Sequence, residues 1–168
     1  MGAALEGATP RMHDYGLLVL RLALAAVFVA HGAQKLFGIW GGGGLSAMAG
    51  IFHNLGLAPA FPLAVLVGVT EFFGGLLLGA GAYARYAAGP LIVVMVVAIV
   101  RVHLANGFFL NWYMRPGVGH GFEFNMVLVA GLLCIIFTGP GALSVDAFRA
   151  RSAESEAAGR ARLRTGNV

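Results

Sequence analysis

The sequence predicts an all-α fold, an integral membrane four-helix bundle with a short interfacial helix in the first outward loop, on three observations. Hydrophobic residues make up 59% of the 168-residue chain and charged residues 11%, far from the balance of an ordinary soluble domain. Four apolar tracts run from about Gly16 to Phe37, Pro62 to Tyr83, Tyr86 to Leu104 and Phe122 to Thr138, each close to the ~20 residues that cross a hydrocarbon core as helix. The few charges gather at the tract ends, where they cannot coat a soluble globule.

The first tract follows Arg11 as the core of a secretory signal would, but the residues after it, HGAQK, offer no small-x-small cleavage site, so it is read as a span. In the outward loop that follows, a flexible run from Gly41 to Gly44 precedes Leu45, Met48, Phe52 and Leu55, which recur at helical spacing and form one apolar face. That helix is expected to lie flat on the outer membrane surface. GGGG lacks a preceding strand and a following Lys-Ser/Thr, which excludes a phosphate loop. Pro59 and Pro62 close this segment and open the second span, where a proline in the first turn forfeits no hydrogen bond. The short inward turn near GAYAR makes spans two and three an antiparallel pair.

The second outward loop, ANGFFLNWYMRPGVGHG, gathers Phe108, Phe109, Trp112 and Tyr113, as suits a headgroup belt. After the fourth span, Gly139, Pro140 and Gly141 stop the helix, and SVDAFRAR suits a short surface helix starting at Ser144 or Asp146. From Ser152 onward the chain has little to bury and is expected to be disordered. The layout is thus a cytoplasmic N-terminal segment (1–14), one membrane domain (15–148) and a basic, disordered cytoplasmic tail (149–168).

Charge sets the orientation. Arg11, Arg21, Arg85, Arg149 and Arg151 flank one side, against Lys35, Arg101 and Arg115 on the other, and the positive-inside bias places both termini in the cytoplasm. Much of the net charge of +4 comes from the tail, at Arg149, Arg151, Arg160, Arg162 and Arg164. That is the end of a membrane protein rather than a nucleic-acid groove, and no nucleic-acid partner is expected. The single cysteine, Cys134, excludes a disulfide framework and a Cys-x-x-Cys redox pair.

Glu71 carries the functional question. It stands near the middle of its span, where inserting an acidic residue costs on the order of 3 kcal/mol, so it must face protein or water. Gly68, Gly75 and Gly79 share its face, and Gly75-x-x-x-Gly79 is a small-residue contact motif, while Leu66, Phe73 and Leu77 turn to lipid. On the first span His31, Gln34 and Lys35 fall on one face at i, i+3 and i+4. On the third, Arg101 and His103 are about 200° apart around a helix, so His103, with Asn106 one turn on, is assigned inward and Arg101 pairs with a carboxylate or snorkels. Glu123 opens the fourth span beside Asn125.

Three readings suit these residues. Glu71 pairs with Lys35 or Arg101 as a structural lock, with His103 bonded to a backbone carbonyl and Glu123 a cap. Alternatively they line a polar pocket, open to the outer leaflet, that binds a small polar-headed molecule and exchanges protons, Glu71 and His103 acting and His31, Gln34, Lys35, Arg101, Asn106 and Glu123 binding. In the third, His31, His103 and a carboxylate hold iron, although no His-x-x-x-His or Glu-x-x-His spacing marks a ligand pair, and no metal site is assigned.

The segments RLALAAVFVAHGAQKLFG, VGVTEFFGGLLLGAGAYAR, VHLANGFF, EFNMVLVAGLL and GPGALSVD, in this order over about Leu17 to Asp146, resemble the DoxX family of small bacterial membrane proteins. The resemblance implies a four-helix protein of the bacterial cytoplasmic membrane, with His31, Lys35, Glu71, His103, Glu123 and Asp146 at positions matching the family pattern. Some relatives are described as the membrane subunit of a thiosulfate:quinone oxidoreductase and others as partners in thiol-redox or oxidative-stress complexes. Two functions follow as expectations. One is a redox-associated subunit holding a quinone headgroup, with His31 or His103 donating to its carbonyl and a partner protein or bound cofactor supplying electrons. The other is a non-enzymatic carrier, binder or scaffold, in which glycine-rich faces would support a homodimer. No resident cofactor motif is identifiable.

Overall fold

A computed structural model describes residues 10–165; most of the expected N-terminal segment 1–14 and the end of the tail lie outside the described residues. Six α-helices follow in order: α1 (Met12–Phe37), α2 (Gly44–Asn54), α3 (Ala60–Ala80), α4 (Ala84–Ala98), α5 (Glu123–Thr138) and α6 (Val145–Thr165). Between α4 and α5 come a π-helical turn, Ile99–His103, and a 3₁₀ turn, Leu104–Asn106. Three helical stretches, Met12–Phe37, Ala60–Ala80 and Ala84–Asn106, are long and apolar enough to cross a bilayer, and α5 is a shorter apolar helix of 16 residues. The arrangement is a helical membrane bundle.

Each span is somewhat displaced from its apolar tract, for local reasons. α1 begins at Met12 because the Asp14 side chain accepts the Arg11 N–H at 2.8 Å, covering an orphan donor of the first turn. α3 stops at Ala80 because the next residue, Gly81, takes a left-handed φ of 65° that lets its N–H cap the last carbonyls. α2 forms where expected, with Leu45, Met48, Phe52 and Leu55 half-buried and Ser46, Ala47, Gly50 and Ile51 exposed, and it packs against α3 and α1.

The core runs along one stripe of each helix. On α3 the buried residues are Ala64, Gly68, Glu71, Gly75 and Leu78, alternating by four and three as one helical face requires. Leu24 and Phe28 of α1, Leu91 and Met95 of α4, and Leu128, Leu132 and Ile135 of α5 close around Leu78. Leu66, Phe73 and Leu77 are exposed on the far side of α3, as expected for lipid-facing positions.

α1 and α3 form the most extensive helix contact, and glycine permits it. A Cβ on Gly32 would lie 2.4 Å from the Phe72 backbone nitrogen, and one on Gly75 2.9 Å from the Val29 nitrogen, so the two backbones touch directly.

The tail differs from expectation. Rather than becoming disordered at Ser152, the chain continues as helix to Thr165. Ser144 caps it, its Oγ accepting the Ala147 N–H at 3.1 Å. Beyond that cap the segment is rich in Ala, Glu and Arg, strong helix formers that need no core to favour the helical backbone, and Glu156 and Arg160 pair at i, i+4.

The close approach at Gly32 yields a prediction. Gly32→Ala should separate α1 from α3 and lower the thermal unfolding midpoint in detergent, by a loss of about 1–3 kcal/mol as for overpacking. Gly16→Ala, at a position with nothing within 4 Å, should leave the midpoint unchanged or raise it.

Candidate functional site

Glu71 is 2% exposed, and its Oε2 accepts from the Lys35 ammonium. The i, i+4 offset of His31 and Lys35 on α1 points Lys35 across the glycine seam, where its Cβ lies against Gly68. The Lys35 side chain retains 18% exposure, so the pair is buried on the acid side and accessible on the base side. Lys35, not Arg101, is therefore the partner that compensates the intramembrane carboxylate.

The other residues at this end of the bundle are engaged separately. His31 is exposed, and its Nδ1 bonds the Val27 carbonyl one turn back, at 2.9 Å. Gln34 donates to the Trp40 carbonyl at 3.0 Å and ties the glycine-rich turn to α1. Arg101 donates to the Leu55 carbonyl, fastening the π-helical turn to the α2–α3 connection. His103 Nδ1 meets the His120 carbonyl at 2.9 Å, and Asn106 donates to that same carbonyl at 3.3 Å. Glu123 accepts the Leu110 N–H at 2.8 Å, so it secures the 107–122 loop instead of capping its own helix.

A carbonyl oxygen can only accept, so the bonds of His31 and His103 assign the proton of the neutral ring to Nδ1. Nε2 is then an acceptor. Each ring can receive a hydrogen bond from a hydroxyl, and can donate from Nε2 only after it is protonated.

The expected single pocket thus resolves into two groups: the Lys35–Glu71 pair between α1 and α3, and the set of His103, Asn106 and Glu123 that holds the 107–122 loop. Among the described residues, no three histidine, cysteine or carboxylate side chains come together as a metal ligand set.

The opposite end of the bundle holds polar residues that sequence reasoning treated as flanks. Arg21 is 1% exposed, and its guanidinium donates to the Pro140 and Leu143 carbonyls, each at 2.8 Å. It threads so close to Gly81 that a Cβ there would sit 2.1 Å from Nη1. Asp14, also buried, accepts the Ala142 N–H at 2.7 Å, and Asp146 accepts the N–H groups of Tyr83 and Ala84 at 2.8 and 3.1 Å. The available signal was the seven-residue spacing of Asp14 and Arg21, which puts both on the helix face that later carries Phe28. A cleft of about 540 Å³ opens at this end between α1 and α5, with His13, Leu20, Cys134 and Thr138 in its wall.

The ion pair can be tested without a ligand. Lys35→Met should cost about 3 kcal/mol by stranding a buried carboxylate, whereas the double change Lys35→Met with Glu71→Leu should recover most of it. Equilibrium unfolding in detergent of both single variants and the double variant measures the coupling.

Comparison with known proteins finds relatives in bacteria. A membrane protein of Mycobacterium tuberculosis, described as uncharacterized, is 32% identical over 133 residues, 77% of this chain and 78% of that protein. An uncharacterized protein of Haemophilus influenzae is 31% identical over 141 residues, 81% of this chain and 92% of its own length. No solved structure matches significantly. The DoxX family model matches residues 16–104, the stretch from α1 through the π-helical turn that includes Lys35, Glu71 and Arg21, and the chain belongs to the DoxX family.

Proposed function

We propose that this protein is a redox-associated membrane subunit in which the Lys35–Glu71 pair exchanges protons with a quinone-type headgroup arriving from the bilayer beside α1. The observation that carries the reading is the asymmetric burial of the pair. Glu71 is enclosed at mid-span while Lys35 keeps an exposed edge, so a headgroup can reach the base without the acid being hydrated.

Reduction of a quinone consumes two electrons and two protons. The electrons come from a partner redox protein or a bound cofactor, since the single cysteine, Cys134, forms no dithiol pair. The protons pass through the pair. His31, one turn before Lys35, offers its Nε2 to the hydroxyl of the reduced headgroup, and its imidazolium form donates to the carbonyl of the oxidised one. In this reading the protein sits in the bacterial cytoplasmic membrane with both termini inside and the pair toward the outer leaflet, in keeping with the excess of arginine around the ends of α1, α4 and α6.

A second reading has its own support. The α1 and α3 backbones touch beside the pair, at Gly32 and Gly75, as a structural pin requires, and the protein would then be a carrier, binder or scaffold for a lipophilic solute or a partner.

Purification in mild detergent followed by analysis of co-extracted lipids separates the two. The redox reading expects bound quinone in the wild type and its loss in Glu71→Gln, together with a fall of at least ten-fold in partner-dependent quinone reduction. Absence of quinone combined with undiminished reduction by Glu71→Gln would overturn it.

A further inference from the structure

At the end of the bundle away from Glu71, the α3–α4 turn and the C-terminus of α5 enclose a second cleft of about 300 Å³, with Tyr83, Arg85, Tyr86, Thr138 and Asp146 in its walls. Its wall carries one carboxylate and one guanidinium. Both carboxylate oxygens of Asp146 are occupied by the first backbone N–H groups of α4. The Arg85 guanidinium lies beside Gly139, where a Cβ would come within 3.0 Å of Nη2. It is exposed and has no hydrogen bond or ion pair with another described residue.

A second guanidinium reaches the rim. Arg149 of α6 stacks on the Tyr83 ring at 5.0 Å from its centroid. Tyr83 is held outward by its position at the N-terminus of α4, where it takes a left-handed φ of 49°. The two phenols are 56% and 80% exposed and present hydroxyl donors beside the arginines.

The level of this cleft in the membrane follows from the helices. α3 ends at Ala80, α4 starts at Ala84 and α5 ends at Thr138, so the cleft lies where the spans leave the hydrocarbon. Phe137, immediately before Thr138, is strongly exposed. A ligand here meets cations and hydroxyls on one side and acyl chains on the other.

We propose that this cleft binds the phosphate of an anionic phospholipid from the bilayer, with Arg85 as the principal contact and Arg149 as a second cation at the rim. A bidentate guanidinium matches a phosphodiester, and tyrosine is the usual wall at this depth. A zwitterionic lipid would bring its own cation against the same two arginines. The site is independent of the Lys35–Glu71 pair and stands whether or not the protein handles quinone.

Native mass spectrometry of the full chain in a neutral detergent tests this, with phosphatidylglycerol, phosphatidylcholine and water-soluble glycerol phosphate added in turn. The wild type should retain one phosphatidylglycerol at least five-fold better than phosphatidylcholine. Arg85→Gln should reduce that retention about five-fold, the effect of one basic residue near an anionic surface, and Arg85→Lys should restore part of it. Arg160→Gln, which removes the same charge from the distal part of α6, should change nothing. Arg149→Gln reads the same site through its stack on Tyr83 and serves if Arg85→Gln unfolds. Equal retention of the two lipids, equal losses in Arg85→Gln and Arg160→Gln, or displacement by glycerol phosphate at lipid concentrations would each overturn the proposal.

Discussion

A carboxylate inside a bilayer has to be answered by the protein itself, and the seam between α1 and α3 is organised around that need. Lipid supplies no hydrogen bonds and little screening, so Glu71 is tolerable only with a cation at contact. The cation is a lysine on the neighbouring helix, and beside the pair the two backbones lie closer than ordinary side chains allow. Gly32 and Gly75 provide the approach, with Phe72 and Val29 pressed against them. The rest of the bundle is laid against this pair of helices: α4 on α3, α5 on α4, while α1 and α5 touch only lightly.

The same constraint is met in a different way at the other end of α1. Arg21 is as deeply buried as Glu71, yet its guanidinium is answered by the carbonyls of Pro140 and Leu143 rather than by a carboxylate. The difference matters chemically. Arginine keeps its proton at any accessible pH, so the Arg21 clasp is a fixed charge that holds the α5–α6 connection against the α3–α4 turn. A lysine and a carboxylic acid can pass a proton between them and leave two neutral groups in place of two ions. One end of α1 is therefore closed by a guanidinium on backbone carbonyls, and the other by a lysine–carboxylate pair.

Most of the fold was legible because the bilayer imposes a length and a composition on each span. The face of Glu71 was legible from the glycines that share it, and the face of Lys35 from its offset to His31. The single polar pocket was not, for two physical reasons. Arg101 and His103 both fall inside the π-helical turn Ile99–His103, where α-helical periodicity no longer fixes where a side chain points. Backbone carbonyls of a folded loop are also invisible to periodicity, and it is the carbonyls of Leu55 and His120 that engage Arg101, His103 and Asn106. Arg21 was read as a topological charge because an arginine near a span end is ordinarily that. Its burial depends on GPGALS folding back beneath it, which no local pattern announces.

The short fourth span shows how these loops matter to the membrane boundary. Sixteen helical residues measure about 24 Å, less than a hydrocarbon core of about 30 Å, so α5 alone leaves polar backbone at risk of exposure to lipid. The 107–122 loop compensates at its start, where the Gly107, Phe108 and Phe109 carbonyls accept the N–H groups of Phe122, Glu123 and Gly121. The π-helical and 3₁₀ turns lengthen the α4 span to Asn106 and deliver the loop to that position. Arg101, His103, Asn106 and Glu123 thus hold together a polar cover at this end of the bundle, while Lys35 and Glu71 lie on the α1–α3 side without it. The exposed His31 ring stands one turn from Lys35 on α1, so the proposed headgroup would meet the pair along α1 rather than in a chamber at the bundle centre.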